Sequence, residues 1–209
     1  MQKLLFFIGC LILYTGSYAQ YRWELSGGIT NSSLNLENTE TTSGIGYYLS
    51  AGYGYISGVR AKTSIVFSIE ALQRSSELTE DLVLAEGIGN ISRGSEFTVT
   101  QFGFSPKFRY LFFTGKDRFR PFINVGPSLR FTANAELGDT ELESEAYEQL
   151  MIGGVYGVGF SQMIGEQFDI FFEAGAMNDF LDNLNDVKSK FFDIYARIGV
   201  RFRIYDARR

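Results

Sequence analysis

From Trp23 onward the chain alternates apolar and less apolar residues with period two, and no other feature constrains the fold as strongly. Ile45, Tyr47, Leu49, Ala51, Tyr53 and Tyr55 fill the odd positions of one segment. Ile65, Phe67, Ile69 and Ala71 do so in the next, followed by Phe102, Phe104, Pro106, Phe108 and Tyr110, then Ile123, Val125, Pro127, Leu129 and Phe131. The pattern returns over 150–160, 168–176 and 192–204, and a more polar first segment covers 23–29. Successive side chains of a strand point to opposite faces, so each segment predicts a strand with one apolar face. Eight such strands bring both chain ends to one side, as in single-chain outer-membrane barrels. No run of 18 apolar residues follows the first 19, so spans by helix are not expected.

Connections alternate in length. Long ones cover 33–44, 77–95, 135–148 and 178–190; short ones cover 57–60, 114–120 and 165–167. Tight turns at one end and long loops at the other match periplasmic turns and extracellular loops. Within the second long connection, 77–86 reads as a short helix. One irregularity stands out: Phe97 and Val99 are odd, whereas Phe102 and Phe104 are even. It predicts a β-bulge near Thr100, or a strand that starts after it.

Alternation does not say which face meets lipid, because a soluble lipocalin-like barrel alternates too. Glycine decides. Gly52, Gly54, Gly103, Gly126, Gly153, Gly157, Gly159, Gly175 and Gly199 all lie on the less apolar face. Mid-strand glycine weakens a water-facing surface but suits a narrow interior. The apolar face carries aromatics toward both rims, at Tyr47, Tyr55, Phe97, Phe112, Phe168, Phe192 and Phe202, as membrane girdles require. The expected fold is all-β: an eight-stranded antiparallel up-and-down transmembrane β-barrel.

Residues 1–19 read as a secretory signal peptide, with Lys3, an apolar run from Leu4 to Tyr14 and a small-x-small end at Ser17-Tyr18-Ala19. Cleavage after Ala19 leaves 20–209 as one barrel domain. Cys10 is the sole cysteine, so the exported chain has no disulfide framework. Setting Lys3 aside leaves 18 basic against 24 acidic residues, a balance that disfavours nucleic acid as a partner.

Several segments resemble the PorT-like family of small outer-membrane barrels. They are Thr100-Gln-Phe-Gly-Phe-Ser-Pro106-Lys-Phe-Arg-Tyr110, Pro121-Phe-Ile-Asn-Val-Gly126-Pro127, Gly157-Val-Gly159-Phe and Ile198-Gly-Val-Arg-Phe202. The resemblance implies an outer-membrane location and a link to protein secretion or envelope assembly. It transfers no catalytic residue. The chain departs from the usual terminal aromatic signal, since Ile204-Tyr205 is followed by Asp206-Ala-Arg-Arg209.

The chain contains no histidine. That removes the usual general base of serine hydrolysis, and with the missing cysteines it removes the usual zinc ligands. No phosphate-binding or dinucleotide motif is present. Neither a catalytic residue, a cofactor nor a metal is expected. Charges on the predicted lumen face are Glu24, Glu70, Lys107, Arg109, Arg130, Glu173, Asp193, Arg197, Arg201 and Arg203. They are expected to pair across a filled interior, with Glu70 and Glu173 against arginines. Loop acids (Glu77, Glu80, Asp81 and Glu86; Glu136, Asp139, Glu141, Glu143, Glu145 and Glu148) form solvated runs, or else a surface for divalent cations or a basic partner. The expected function is structural, assembly-related or secretion-associated. The expected protein is a monomer in contact with outer-membrane lipid and an envelope or secretion-machinery protein. The alternatives are a narrow pore or a soluble ligand-binding barrel.

Overall fold

The computed structural model describes residues 20–36, 40–56, 62–80, 82–83, 90–91, 93–113, 118–138, 140–142, 144, 146–165, 167–184 and 188–204. The export-signal reading, Asp81, Glu86, Asp139, Glu143, Glu145 and Tyr205 fall outside them. Eight long strands follow one another: β1 Gln20–Leu36, β2 Thr41–Ile56, β3 Thr63–Leu78, β4 Glu96–Leu111, β5 Phe119–Leu137, β6 Leu150–Met163, β7 Phe168–Asp179 and β8 Ser189–Ile204. Each pairs antiparallel with its sequence neighbours, and β1 closes on β8. The fold is therefore a closed up-and-down barrel.

Register fixes its shape. A walk from Tyr21 across the strands runs through Tyr55, Ile65, Phe108, Val125, Tyr156, Ala176 and Ile194. It re-enters β1 at Asn31, ten residues higher. That stagger over eight strands tilts them by about 40° from the barrel axis. A 16-residue strand such as β3 then stands roughly 40 Å tall, more than the ~25 Å apolar band of an outer-membrane barrel needs.

The outward face carries that band. Phe67, Phe104, Leu129 and Ile198 are 42%, 43%, 43% and 62% exposed on the outer wall. A soluble carrier would have turned these four into its centre. Aromatics gather at the lower rim (Trp23, Phe112, Phe119, Phe168) and the upper rim (Tyr47, Phe102, Phe131, Phe192), all exposed.

Above the band the polarity of the two faces inverts. On β1 the outward residues change from Leu25 and Ile29 to Asn31, Ser33 and Asn35, while Leu34 turns in and is buried. On β4, Phe102 and Phe104 point out, but Phe97 and Val99 are each 2% exposed and point in. Both belong to an inner apolar cluster with Leu34, Ala135, Leu142, Leu184 and Phe191, in which the Phe97 and Phe191 rings stack at 5.9 Å. The upper barrel is thus built for water outside and hydrocarbon inside.

This corrects one sequence expectation and refines another. Phe97 is not a girdle residue. The parity change on β4 is not a bulge in that strand, because its alternation runs unbroken from 96 to 111. A register shift does occur at Thr100, which pairs with Asn134 while Gln101 pairs with Thr132. The extra residue is Ala133 on β5, and the bulge turns Ala135 inward beyond it. The first long connection shrinks most, since β1 and β2 continue through 33–36 and 41–44, whereas the long strands take only 77–78, 135–137, and 178–179 with 189–190 from the other three. Instead of a helix, β3 reaches Leu78, and Leu82–Val83 pairs with Asn90–Ile91 as a small hairpin.

Inversion predicts opposite outcomes for two phenylalanines on one strand. Phe97→Ala empties a packed site and should cost about 3–5 kcal/mol. Phe104→Ala exchanges a ring for lipid and should cost a small fraction of that. Unfolding midpoints in urea, measured in the same micelles, test this; equal shifts would contradict the inverted core.

Candidate functional site

Among the described residues, the lumen is where charged side chains converge. Strand parity aims them there: even positions on β1, β2, β3 and β5, odd positions on β4, β6, β7 and β8. Glycines make the room. A methyl group on Gly157 would lie 2.6 Å from both Glu173 Oε1 and the Tyr195 hydroxyl, and one on Gly199 would lie 2.6 Å from the Phe171 ring.

The side chains stack in layers. Nearest the periplasmic turns, Asp169 meets Arg120 in a short contact and Arg22 at 3.5 Å. Above it, Glu24 accepts both terminal nitrogens of Arg109 and, at 2.7 Å, Nε of Arg201. The Phe122 ring lies 4.7 Å from the Arg109 guanidinium and 4.8 Å from that of Arg201, so the cations rest on an aromatic face. Asn124 links this layer to the next, accepting from Arg109 at 2.8 Å and donating to Glu173 at 2.7 Å.

The middle layer holds two acids. Glu173 accepts from Arg197 at 2.8 Å and from the Tyr195 hydroxyl at 2.7 Å. Glu70 accepts from Lys107 and Tyr48, each at 2.5 Å, and from Ser105 at 2.8 Å. Tyr48 and Tyr195 stack at 5.5 Å between the two groups. Higher still, Arg74 donates to Asp179 at 2.8 Å and Asp193 at 2.6 Å, and Arg130 Nη2 lies 3.0 Å from Asp179. The apolar cluster closes the mouth. Leu142 is held by a backbone bond to Ala135, and Leu184 by one to the Ser189 hydroxyl. A bridge between Tyr147 and Leu184 ties the two loops together.

Of the charges expected in the lumen, Glu24, Glu70, Lys107, Arg109, Arg130, Glu173, Asp193, Arg197 and Arg201 are all buried there. Arg203 pairs in register with Arg22, but its side chain lies outside the description. Glu173 has its arginine. Glu70 does not take one as its ion-pair partner: Lys107 stands there, reaching across from β4 beside the Tyr48 hydroxyl. Five lumen charges escaped the sequence reading: Arg22, Arg74, Arg120, Asp169 and Asp179. Four stood beyond strand ends drawn too short, although Arg74 keeps the parity of Glu70 and Arg120 that of Arg130. Asp169 shared the parity of Glu173 within its strand and was detectable.

The outer acids stay apart from this network. Glu77, Glu96, Glu136 and Glu141 are exposed at the upper rim, with Glu77 opposite Glu96 and Glu136 opposite Glu141. Among the described residues, no three acidic, histidine or cysteine side chains converge in a way that could hold a metal.

A closed eight-stranded antiparallel barrel with an apolar outer belt and a polar lumen defines an outer-membrane β-barrel protein. Solved structures with this fold include the Neisserial surface protein A, which is 17% identical with a TM-score of 0.52, over 87% of this chain and 97% of that one. Another is the outer membrane protein OprG from Pseudomonas aeruginosa, 15% identical with a TM-score of 0.53, over 91% and 99%. No protein-family profile and no curated protein matches the chain.

Removing one member of a lumen pair leaves the other charge buried alone. Glu173→Ala should therefore destabilise the barrel by about 3–5 kcal/mol, read as a lower urea midpoint. Replacing Glu70 and Lys107 together by Leu and Met should cost less than either single change, since no orphan ion remains. An unchanged Glu173→Ala midpoint, or additive costs at 70 and 107, would contradict the ion-paired lumen.

Proposed function

We propose that the protein is a non-enzymatic, non-conducting barrel that works through its extracellular end, in a structural, assembly or secretion-associated role. The filled lumen carries this reading. Asp169, Glu173 and Asp193 are 0% exposed, and an apolar cluster lies across the path above them. A conducting path needs continuous water, and an eight-stranded interior is only wide enough for its own side chains. A chain without histidine supports the non-enzymatic reading. The rim acids, spread across β3, β4 and β5, suit a basic partner in the extracellular space. The resemblance to PorT-like barrels supports the secretion association.

Purified protein in planar bilayers should give no discrete conductance steps. Reproducible unitary steps would overturn the non-conducting reading in favour of a narrow pore. A gene deletion should alter the set of secreted proteins; an unaltered set would remove the secretion association.

A further inference from the structure

The lipid-facing wall is not uniformly convex. On the extracellular half of β7, the outward residues are Ala174 and Ala176; Val158 and Tyr156 rise beside them on β6, while on β8 Ala196 stands opposite Ala174, Ile194 opposite Ala176 and Phe192 opposite Asn178. They border an open furrow of about 620 Å³ along β7. Its flanking strands stand two strand spacings apart, about 10 Å, and Ala174 to Asn178 spans roughly 13 Å. These are the dimensions of one hydrocarbon chain. The convex wall of a second barrel cannot enter so narrow a slot.

What stands above the furrow differs from the rest of the rim. Lys190 is exposed on the same outward row of β8, one outward position above Phe192 at the upper aromatic girdle. That places an ammonium at headgroup height directly over the opening. A second furrow, about 830 Å³ beside Gly27, Ala51 and Ala71, has no such cation: Asn31, Gln73 and Glu77 lie above it. Elsewhere the described rim carries more acid than base, with Glu96, Glu136 and Glu141 against Arg93. An anion is therefore drawn to the β8 side and repelled from β3–β5.

We propose that the β7 furrow is a binding site for an anionic lipid of the outer leaflet, a phosphorylated glycolipid, with one acyl chain lying on Ala174 and Ala176 and a phosphate on Lys190. The hydrocarbon half of the site is shape and the polar half is charge. Each is open to change without touching the lumen.

The test uses the full barrel in zwitterionic micelles, titrated with diphosphoryl lipid A, with phosphatidylglycerol and with phosphatidylcholine, and followed by the midpoint of heat-modifiable migration. Lipid A should raise the wild-type midpoint, phosphatidylglycerol less and phosphatidylcholine not at all. Lys190→Glu should weaken the lipid A response about fivefold or more, the weight of at least one lysine at an anionic surface. The pair Ala174→Leu and Ala176→Leu should remove it by filling the furrow, whereas Ala51→Leu in the other furrow should leave it intact. Equal responses in wild type and Lys190→Glu would overturn the proposal, whether or not the double variant folds. So would an equal wild-type response to phosphatidylglycerol or phosphatidylcholine.

Discussion

Hydrocarbon cannot hydrogen-bond a peptide group, and every other property of this molecule follows from that constraint. A sheet in the bilayer must close on itself, or leave a row of bare N–H and C=O groups in lipid. Closure of eight strands with a stagger of ten residues then fixes the tilt and the bore. The bore in turn dictates residue size. Gly157 and Gly199 stand where Glu173, Tyr195 and Phe171 need the volume. Small and large residues are apportioned by the geometry of a cylinder, and charge is distributed within what remains.

The charges are a costly filling. Each ion gives up its hydration, and a well-packed apolar core would serve as well or better in energy alone. In a membrane barrel, however, two apolar faces would make inside and outside equivalent to the chain. Polar lumen residues keep a one-residue slip from being tolerated, because the slip would carry every arginine into lipid. Among the described residues the buried cations outnumber the buried acids by two, whereas the whole chain carries a net charge of −5. The surplus acid is therefore displaced to solvent-facing positions such as Glu77, Glu96, Glu136 and Glu141.

The fold was legible because lipid enforces strict alternation over the middle of every strand. Phe67, Phe104, Leu129 and Ile198 could be assigned a face from parity and glycine alone. The strand ends were less legible. Alternation was followed only while its apolar phase lasted, so Arg120 and Asp179 were left in connections and Arg74 beyond the last assigned residue of its strand. The phase change at Thr100 pointed to a bulge, and a register shift does occur there, but its extra residue lies on β5; along β4 the backbone continued and the solvent changed. Nine of the ten proposed lumen charges proved buried in the bore, yet their partners were only partly foreseen. Parity gives a side chain's face, but which residues meet across the barrel depends on stagger, and a single sequence does not reveal stagger. That is why Lys107, and not an arginine, pairs with Glu70.

The inverted upper barrel has a mechanical consequence. Its inner cluster of Leu34, Phe97, Leu142, Leu184 and Phe191 gains its cohesion only with water around it, after that end has crossed to the cell exterior. Pulling the barrel back would drag Asn31, Asn35 and Glu96 into acyl chains. Pushing it outward would lift Ile29, Ile45 and Phe102 into water. The switch of face polarity thus works as a collar, setting how deep the cylinder sits and making its insertion one-way.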